Sequence, residues 1–361
     1  MSWTLSRYIA GRFLSALLIS LLSVLLIVIL VDLIERLRGA DATFGMLLWL
    51  SVLRAPTLAA KALPFAVLLA AMISYSRLAR SSELTVARAA GLSSWRLLAP
   101  GVCTAVAMGL IAFSAYNPIA AAMADRYDVL TARIGGDVNR LSVSAEGVWL
   151  RQGDRDSQFV IHADSASATA TELRDVTFFE FANGENLVRR IDAETAELTQ
   201  GAWLLRGVDY WDFTLDDAIA RVPLNFHQVP TSITPDEVIE GVASPETISF
   251  WKLPKFIESL EKSGFSARRH RIYWHAQLTT PLLFAAMMLI GAAFSMRPAR
   301  FGGLGLMALG CVITGLGYYF ISDLSLALGF SGGAPLIAAA WAPPVAALFL
   351  AVGLLLHLED G

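Results

Sequence analysis

Six stretches of this sequence are too long and too apolar for an ordinary water-soluble core. They cover residues 13–31, 55–76, 97–124, 272–296, 301–322 and 324–356. Four of them carry no ionisable side chain beyond cysteine or tyrosine. The second holds Lys61 and the fourth holds His275. A hydrocarbon core about 30 Å thick is crossed by roughly 20 helical residues. Backbone groups in lipid must find partners within the chain, so each stretch predicts a transmembrane helix. The first run exceeds the apolar part of a cleaved leader and no small-residue cleavage site follows, so it reads as a retained span. Composition agrees: 55% of residues are hydrophobic and 16% are charged, against about 25% charged in soluble chains.

Charge is unevenly spread. Residues 125–271 hold 24 of the 31 acids but only 16 of the 28 lysines and arginines, a local net charge of −8. This segment reads as a soluble insert between the third and fourth spans. Its acidity repels phosphate backbones, so nucleic acid is excluded as a partner. Cys103 and Cys311 fall in apolar runs, which leaves no disulfide for the insert and no thiol metal cluster. The five histidines are scattered, so no metal site is expected.

Basic residues in short loops set orientation. With the N-terminus in the cytoplasm, the inner segments hold Arg7, Arg12, Arg77, Arg80, Arg88, Arg96, Arg297 and Arg300, and the outer ones hold Arg36, Arg38 and Arg54. The expected topology therefore places both termini inside and the insert outside.

From Gly147 onward short alternating runs rich in Val, Phe, Trp and Tyr are separated by Gly153-Asp154, Asn183-Gly184 and Gln200-Gly201. Such spacing predicts an antiparallel sandwich or open barrel. Residues 247–263 then predict an amphipathic helix with Phe256, Ile257 and Leu260 on one face and Gly264 as its stop.

Catalytic motifs are missing. There is no Gly-Lys pair and hence no phosphate-binding P-loop, and neither HExxH nor GxSxG occurs. The chain is expected to be no enzyme, to bind no cofactor of its own, and to draw energy from a partner or an ion gradient. Residues 77–97, RLARSSELTVARAAGLSSWRL, are the most informative short segment. Ser81, Ser82 and Glu83 can cap a short helix, Leu84, Ala87 and Leu92 can form its apolar side, and Gly91 can end it. Two readings stay open: a solvated surface helix, or one that docks in the groove of a cytoplasmic ATPase.

The run SELTVARAAGLS resembles the coupling-helix motif of the LptF/LptG lipopolysaccharide export permeases. KALPFAVLLAAM in the second span and GVWLRQGDRDSQFVIHAD entering the insert match as well. FIESLEKSGFSARRHRIYW and YYFISDLSLALG are similar to the G-type member more than the F-type. The resemblance covers nearly the whole chain. It implies an α-helical polytopic inner-membrane protein of six transmembrane helices, with an all-β, jelly-roll-like periplasmic domain between helices 3 and 4. The corresponding segments are 1–124, with a coupling helix near 81–92, then 125–271 and 272–361. It further implies an LptF-type paralogue, an LptB-type ATPase dimer that binds the ATP, an LptC-type bridge protein, and lipopolysaccharide as cargo.

On this resemblance Glu83, with Leu84, Arg88 and Gly91 around it, couples to the ATPase. The cargo adds its own constraint. Exposing one 14-carbon chain to water costs on the order of 10 kcal/mol, so the lipid path must be an apolar cavity, with the first and fifth spans as candidate walls. Phosphates on the head group favour arginine forks at the outer interface. Arg36 and Arg38 are candidates there, although DLIERLRGAD mixes in Asp32 and Glu35 where the family is basic. Simple interfacial anchoring is the other reading. Lys61, Arg126 and Arg133 are further candidates, with Lys61 either snorkelling outward or facing the cavity. Rival functions are a mechanotransmitting ABC permease that carries no lipid, a secondary transporter and a structural anchor.

Overall fold

The computed structural model describes residues 3–38, 43–135, 140–144, 147–153, 157–166, 172–182, 186–199, 201–213, 222–231, 244–262, 266–296 and 304–359. The chain divides into two compact units, Met1–Ala124 with Arg271–Gly361, and Asp125–His270.

Helices α1 (Trp3–Leu37) and α2 (Phe44–Arg80) open the membrane unit. Short helix α3 (Glu83–Ala89) follows, then α4 (Ser94–Ile111), a π-helical turn (Ala112–Tyr116) and α5 (Asn117–Gly135). After the insert come α6 (Leu253–Lys262), α7 (Arg268–Leu278), α8 (Thr280–Ser295), α9 (Leu304–Ser331) and α10 (Leu336–Glu359). Five of these segments are long and apolar enough to cross a membrane, and the pair α7–α8 makes a sixth if counted as one bent span.

Several expected boundaries shift. The second span was expected over 55–76, but α2 runs 37 residues, about 55 Å of helix. Apolar Phe44, Met46, Leu47, Leu48 and Leu50 extend it before Arg54 interrupts the pattern. The separation expected at Asp323, between the stretches 301–322 and 324–356, is instead continuous helix to Ser331, because one aspartate within an apolar run does not break a helix. The fourth span bends by 49° at Thr279. Pro281 lacks an N–H and its ring crowds the carbonyl four residues back, which breaks the ladder at this point. Arg297 and Arg300, used in the orientation count, lie outside the described residues, as do Gly264 and the turn residues Asp154, Asn183, Gly184 and Gln200.

Helix α8 is the centre of the membrane unit: Phe284, Ala286, Met287, Met288, Ile290, Ala292 and Ala293 are all buried. Small residues let its neighbours approach closely. A Cβ on Gly291 would meet the Leu68 carbonyl oxygen of α2, and one on Gly109 of α4 would lie 2.5 Å from Pro281 Cα. Ser295 Oγ donates to the Met72 carbonyl at 3.0 Å, tying α8 to α2. The π turn brings Tyr116 Oη to the Pro56 carbonyl at 2.8 Å and leaves buried Asn117 to donate to Tyr273 Oη at 3.1 Å. By contrast, only 17% of the most apolar stretch of α1 and 11% of that of α9 is buried within the chain.

Among the described residues the second unit carries one seven-stranded antiparallel sheet in which each strand pairs with the next. The strands are β1 (Arg140–Ser144), β2 (Gly147–Gly153), β3 (Ser157–Ala166), β4 (Glu172–Ala182), β5 (Asn186–Thr199), β6 (Ala202–Asp212) and β7 (Val222–Pro230). A β-sheet insert with a trailing helix is thus present between the third and fourth spans, with β1 and β7 as the end strands among the described residues. Sequence reading missed both ends, although Val222, Leu224 and Phe226 alternate. Pro223 is acceptable there because an end strand need not donate on both sides. Trp203, packed edge-on to Phe178 at 6.3 Å, anchors the core, and its indole donates to buried Gln152.

A crease runs across this sheet. Pairing holds on both sides of Asp175, Glu194 and Gly207, but these positions themselves drop out of the ladder. Asp175 and Gly207 have positive φ, 49° and 63°. In β6 the buried set passes from Trp203 and Leu205 to Val208, a change of parity that a strict period of two cannot accommodate.

The trailing helix was expected from 247, but α6 begins at Leu253 after a 3-10 turn at Pro245–Thr247. Pro254 fits only the first turn of a helix, where its missing N–H costs nothing. Leu253, Ile257 and Leu260 are its buried side.

Candidate functional site

The segment between α2 and α4 builds a short helix on a fixed stem. Ser81 ends α2 by donating its backbone N–H to the Arg77 carbonyl. Ser82 then adopts a left-handed conformation, φ 58°, and its side chain makes no cap bond. The expected hydroxyl cap at Ser82 is therefore absent, because a left-handed N-cap residue does not aim its side chain at the helix amides. Ser81 acts instead through its side chain, donating from Oγ to Glu83 Oε1 at 2.9 Å.

At the other end, the Gly91 N–H bonds the Arg88 carbonyl at 2.9 Å and the Leu92 N–H bonds the Ala87 carbonyl at 3.2 Å. This is the Schellman pattern, and Gly91 supplies the positive φ, 83°, that it requires. Leu84 is buried, and Ala87 and Leu92 pack against the same core. Arg88, Thr85 and Val86 are exposed. The helix thus hangs by one apolar side while its other side, with Arg88, is open. Ser93 caps α4 by accepting from the Arg96 N–H at 3.4 Å.

Glu83 is half-buried and is held from α1. The Tyr8 phenol donates to Glu83 Oε1 at 3.2 Å. Arg12 donates to the Tyr8 oxygen from Nε at 3.2 Å and from Nη2 at 2.9 Å. A cavity of about 150 Å³ opens beside this chain, lined by Arg12, Ser15, Ser74, Arg77, Ser81 and Glu83 among others. Tyr8 and Arg12 were not anticipated as site residues. Their i,i+4 spacing was visible, but the partner lies 75 positions away.

At the far end of α1 the basic candidates are organised by an acid. The Asp32 carboxylate accepts from Arg36 Nε at 2.7 Å and Nη2 at 3.4 Å, and from Arg54 Nη1 at 3.2 Å. Arg36 is thus brought to Arg54, a residue counted only for orientation in the sequence. Arg38 is exposed, and its backbone N–H bonds the Glu35 carbonyl. Lys61 is exposed on α2, away from the Asp32 group by two turns of helix. Arg126 is exposed on α5 in the second unit; Arg133 lies on the same helix, but its side chain is outside the description.

The profile of the family described as "Lipopolysaccharide export system permease LptF/LptG" matches residues 7–357. The Haemophilus influenzae protein named lipopolysaccharide export system permease protein LptG is 24% identical over 369 aligned positions, 99% of each chain. The Escherichia coli K12 protein of the same name is 24% identical over 299 positions, 81% of each chain.

Proposed function

The chain belongs to the LptF/LptG family of lipopolysaccharide export system permeases, and on that premise we propose that it is the G-type permease subunit of an ATP-driven exporter in a bacterial inner membrane. The family is one of transport permeases rather than enzymes, so hydrolysis is assigned to an LptB-type partner. Both termini face the cytoplasm, and the β-sheet unit lies in the periplasm. An LptF-type paralogue completes the membrane pore, and an LptC-type bridge takes lipid from the β-sheet unit.

The observation that carries this reading is the short helix α3, capped at Gly91 and exposed at Arg88. A seven-residue helix is too short to be stable by itself in water. Fixed at the base of the bundle by Leu84, it offers a rigid knob to a partner's groove. Glu83 and Arg88 give that knob both signs of charge. The mostly uncovered apolar faces of α1 and α9 suit a cavity wall shared with a paralogue, since acyl chains cannot be carried through water. Arg36 and Arg54 form the basic group at the outer end of α1. With Asp32 between them they attract phosphate less strongly than two unpaired arginines would, and binding there depends on the lipid displacing the carboxylate.

The test is coexpression of the chain with the paralogue and the ATPase. Glu83→Ala should reduce ATPase copurification or nucleotide-driven lipopolysaccharide release while leaving membrane insertion intact. Unchanged release from vesicles would overturn the coupling assignment. A mechanotransmitting permease, the alternative, would assemble equally well but fail to crosslink lipopolysaccharide from positions on α1 and α9.

A further inference from the structure

Beside the apolar core that Leu84 shares with Ile9 and Phe13, a polar chain links the docking helix to the first transmembrane helix. Arg12 and Glu83 carry opposite charges, yet the Tyr8 phenol stands between them, accepting two N–H bonds from Arg12 and donating its own O–H to Glu83 Oε1. Donation from a guanidinium polarises the phenol and strengthens its bond to the carboxylate. Ser81 fills the remaining position on Oε1 at 2.9 Å. Among the described residues Glu83 Oε2 has no hydrogen-bond partner, and Glu83 borders the cavity of about 150 Å³ between α1, α2 and α3.

We infer that Tyr8 is a positioning residue that passes displacement of α3 into α1. The carboxylate of Glu83 divides its work: Oε1 is held within the chain, and Oε2 is left for a cationic group of the docked ATPase. A packed interface would spread a push on α3 over many side chains. Here the gap beside Glu83 leaves the Tyr8 bond to take up motion toward α1. Left-handed Ser82 is the strained joint about which α3 would turn. Ile9 and Phe13, next to Tyr8 on α1, are buried, so a pull at Tyr8 enters α1 at its packed end and is carried toward its uncovered apolar face. The inference rests on α3 being the ATPase-docking helix.

The experiment uses the full complex with its paralogue and ATPase in vesicles containing lipopolysaccharide. Lipid released per ATP hydrolysed is measured for the wild type, Tyr8→Phe, Glu83→Gln and the double variant. Tyr8→Phe removes only the hydroxyl. It should leave copurification unchanged and lower release per ATP about tenfold, the low end for one hydrogen bond to a charged group because the site is partly exposed. Adding Tyr8→Phe to Glu83→Gln should cause a smaller further loss than Tyr8→Phe causes alone, since the amide oxygen still accepts from the phenol but without the charge. Unchanged release per ATP in Tyr8→Phe, additive losses in the double variant, or loss of copurification in Tyr8→Phe would each overturn the relay while leaving the docking assignment standing. A wild-type complex that shows no nucleotide-dependent release would remove the docking assignment itself, and the relay with it.

Discussion

Asp32 of α1 and Arg54 of α2 are bonded at 3.2 Å, and the same carboxylate, only 4% exposed, holds Arg36 at 2.7 Å. One acid thus ties the last turns of α1 to the third turn of α2 and gathers a basic group from each helix. Replacing it removes this carboxylate from both guanidiniums. Asp32→Ala should lower the stability of the detergent-purified protein by about 2 kcal/mol, less than for a fully buried pair because Arg54 is partly exposed. A thermal midpoint equal to the wild type would contradict this.

Close helix contact at the centre of the bundle depends on the absence of particular side chains. Gly291→Ala pushes a methyl group against the Leu68 backbone, which cannot step aside. The cost should be about 3 kcal/mol, seen as lost monodispersity in gel filtration. Gly101→Ala meets chiefly the flexible end of Met288 and should cost less. Equal damage from the two would show that backbone contact is not the controlling factor.

Two residues that flank α3 should respond with opposite signs. Ser82→Gly relieves a left-handed non-glycine residue and should stabilise α3 by about 1 kcal/mol. Gly91→Ala places a Cβ at φ 83° and should destabilise it by a similar amount. Hydrogen exchange of the amides of residues 86–90 reads both changes, and the prediction fails if they move in the same direction.

The β-sheet unit contains a titrating histidine. His227 packs against the Tyr210 ring at 5.7 Å, and burial, then the nearby Arg189 guanidinium, hold its pKa below the ordinary histidine value, with Glu180 opposing them. The folded state therefore binds this proton less readily than the unfolded state. Stability from this source is present above the unfolded pKa, about 6.5, and is lost as pH falls toward the lower folded value. Exchange at β6 and β7 amides, corrected for intrinsic rates, should speed up on going from about pH 7 to pH 5. His227→Phe should flatten that dependence; an undiminished one would assign it to another group.

The existence of the spans and the all-β insert was legible because lipid and a half-buried sheet each impose a period on hydrophobicity over many residues. The cap at Gly91 was legible as well, since a left-handed cap selects glycine locally. Boundaries were less so. The bend at Thr279 and the start of α6 turn on single prolines, and the crease at Asp175 and Gly207 shifts the alternation by one residue within otherwise regular strands.

What the amino-acid order determined by itself is what local chemistry sets: which segments enter the membrane, where charge is confined, and that no nucleotide-binding P-loop is present. The tertiary structure alone decided which distant groups meet. Tyr8 reaches Glu83 across 75 positions and Arg54 reaches Asp32 across 22. Such pairs follow from how whole helices pack, and side-chain packing is a property of the assembled bundle that no local window of sequence contains.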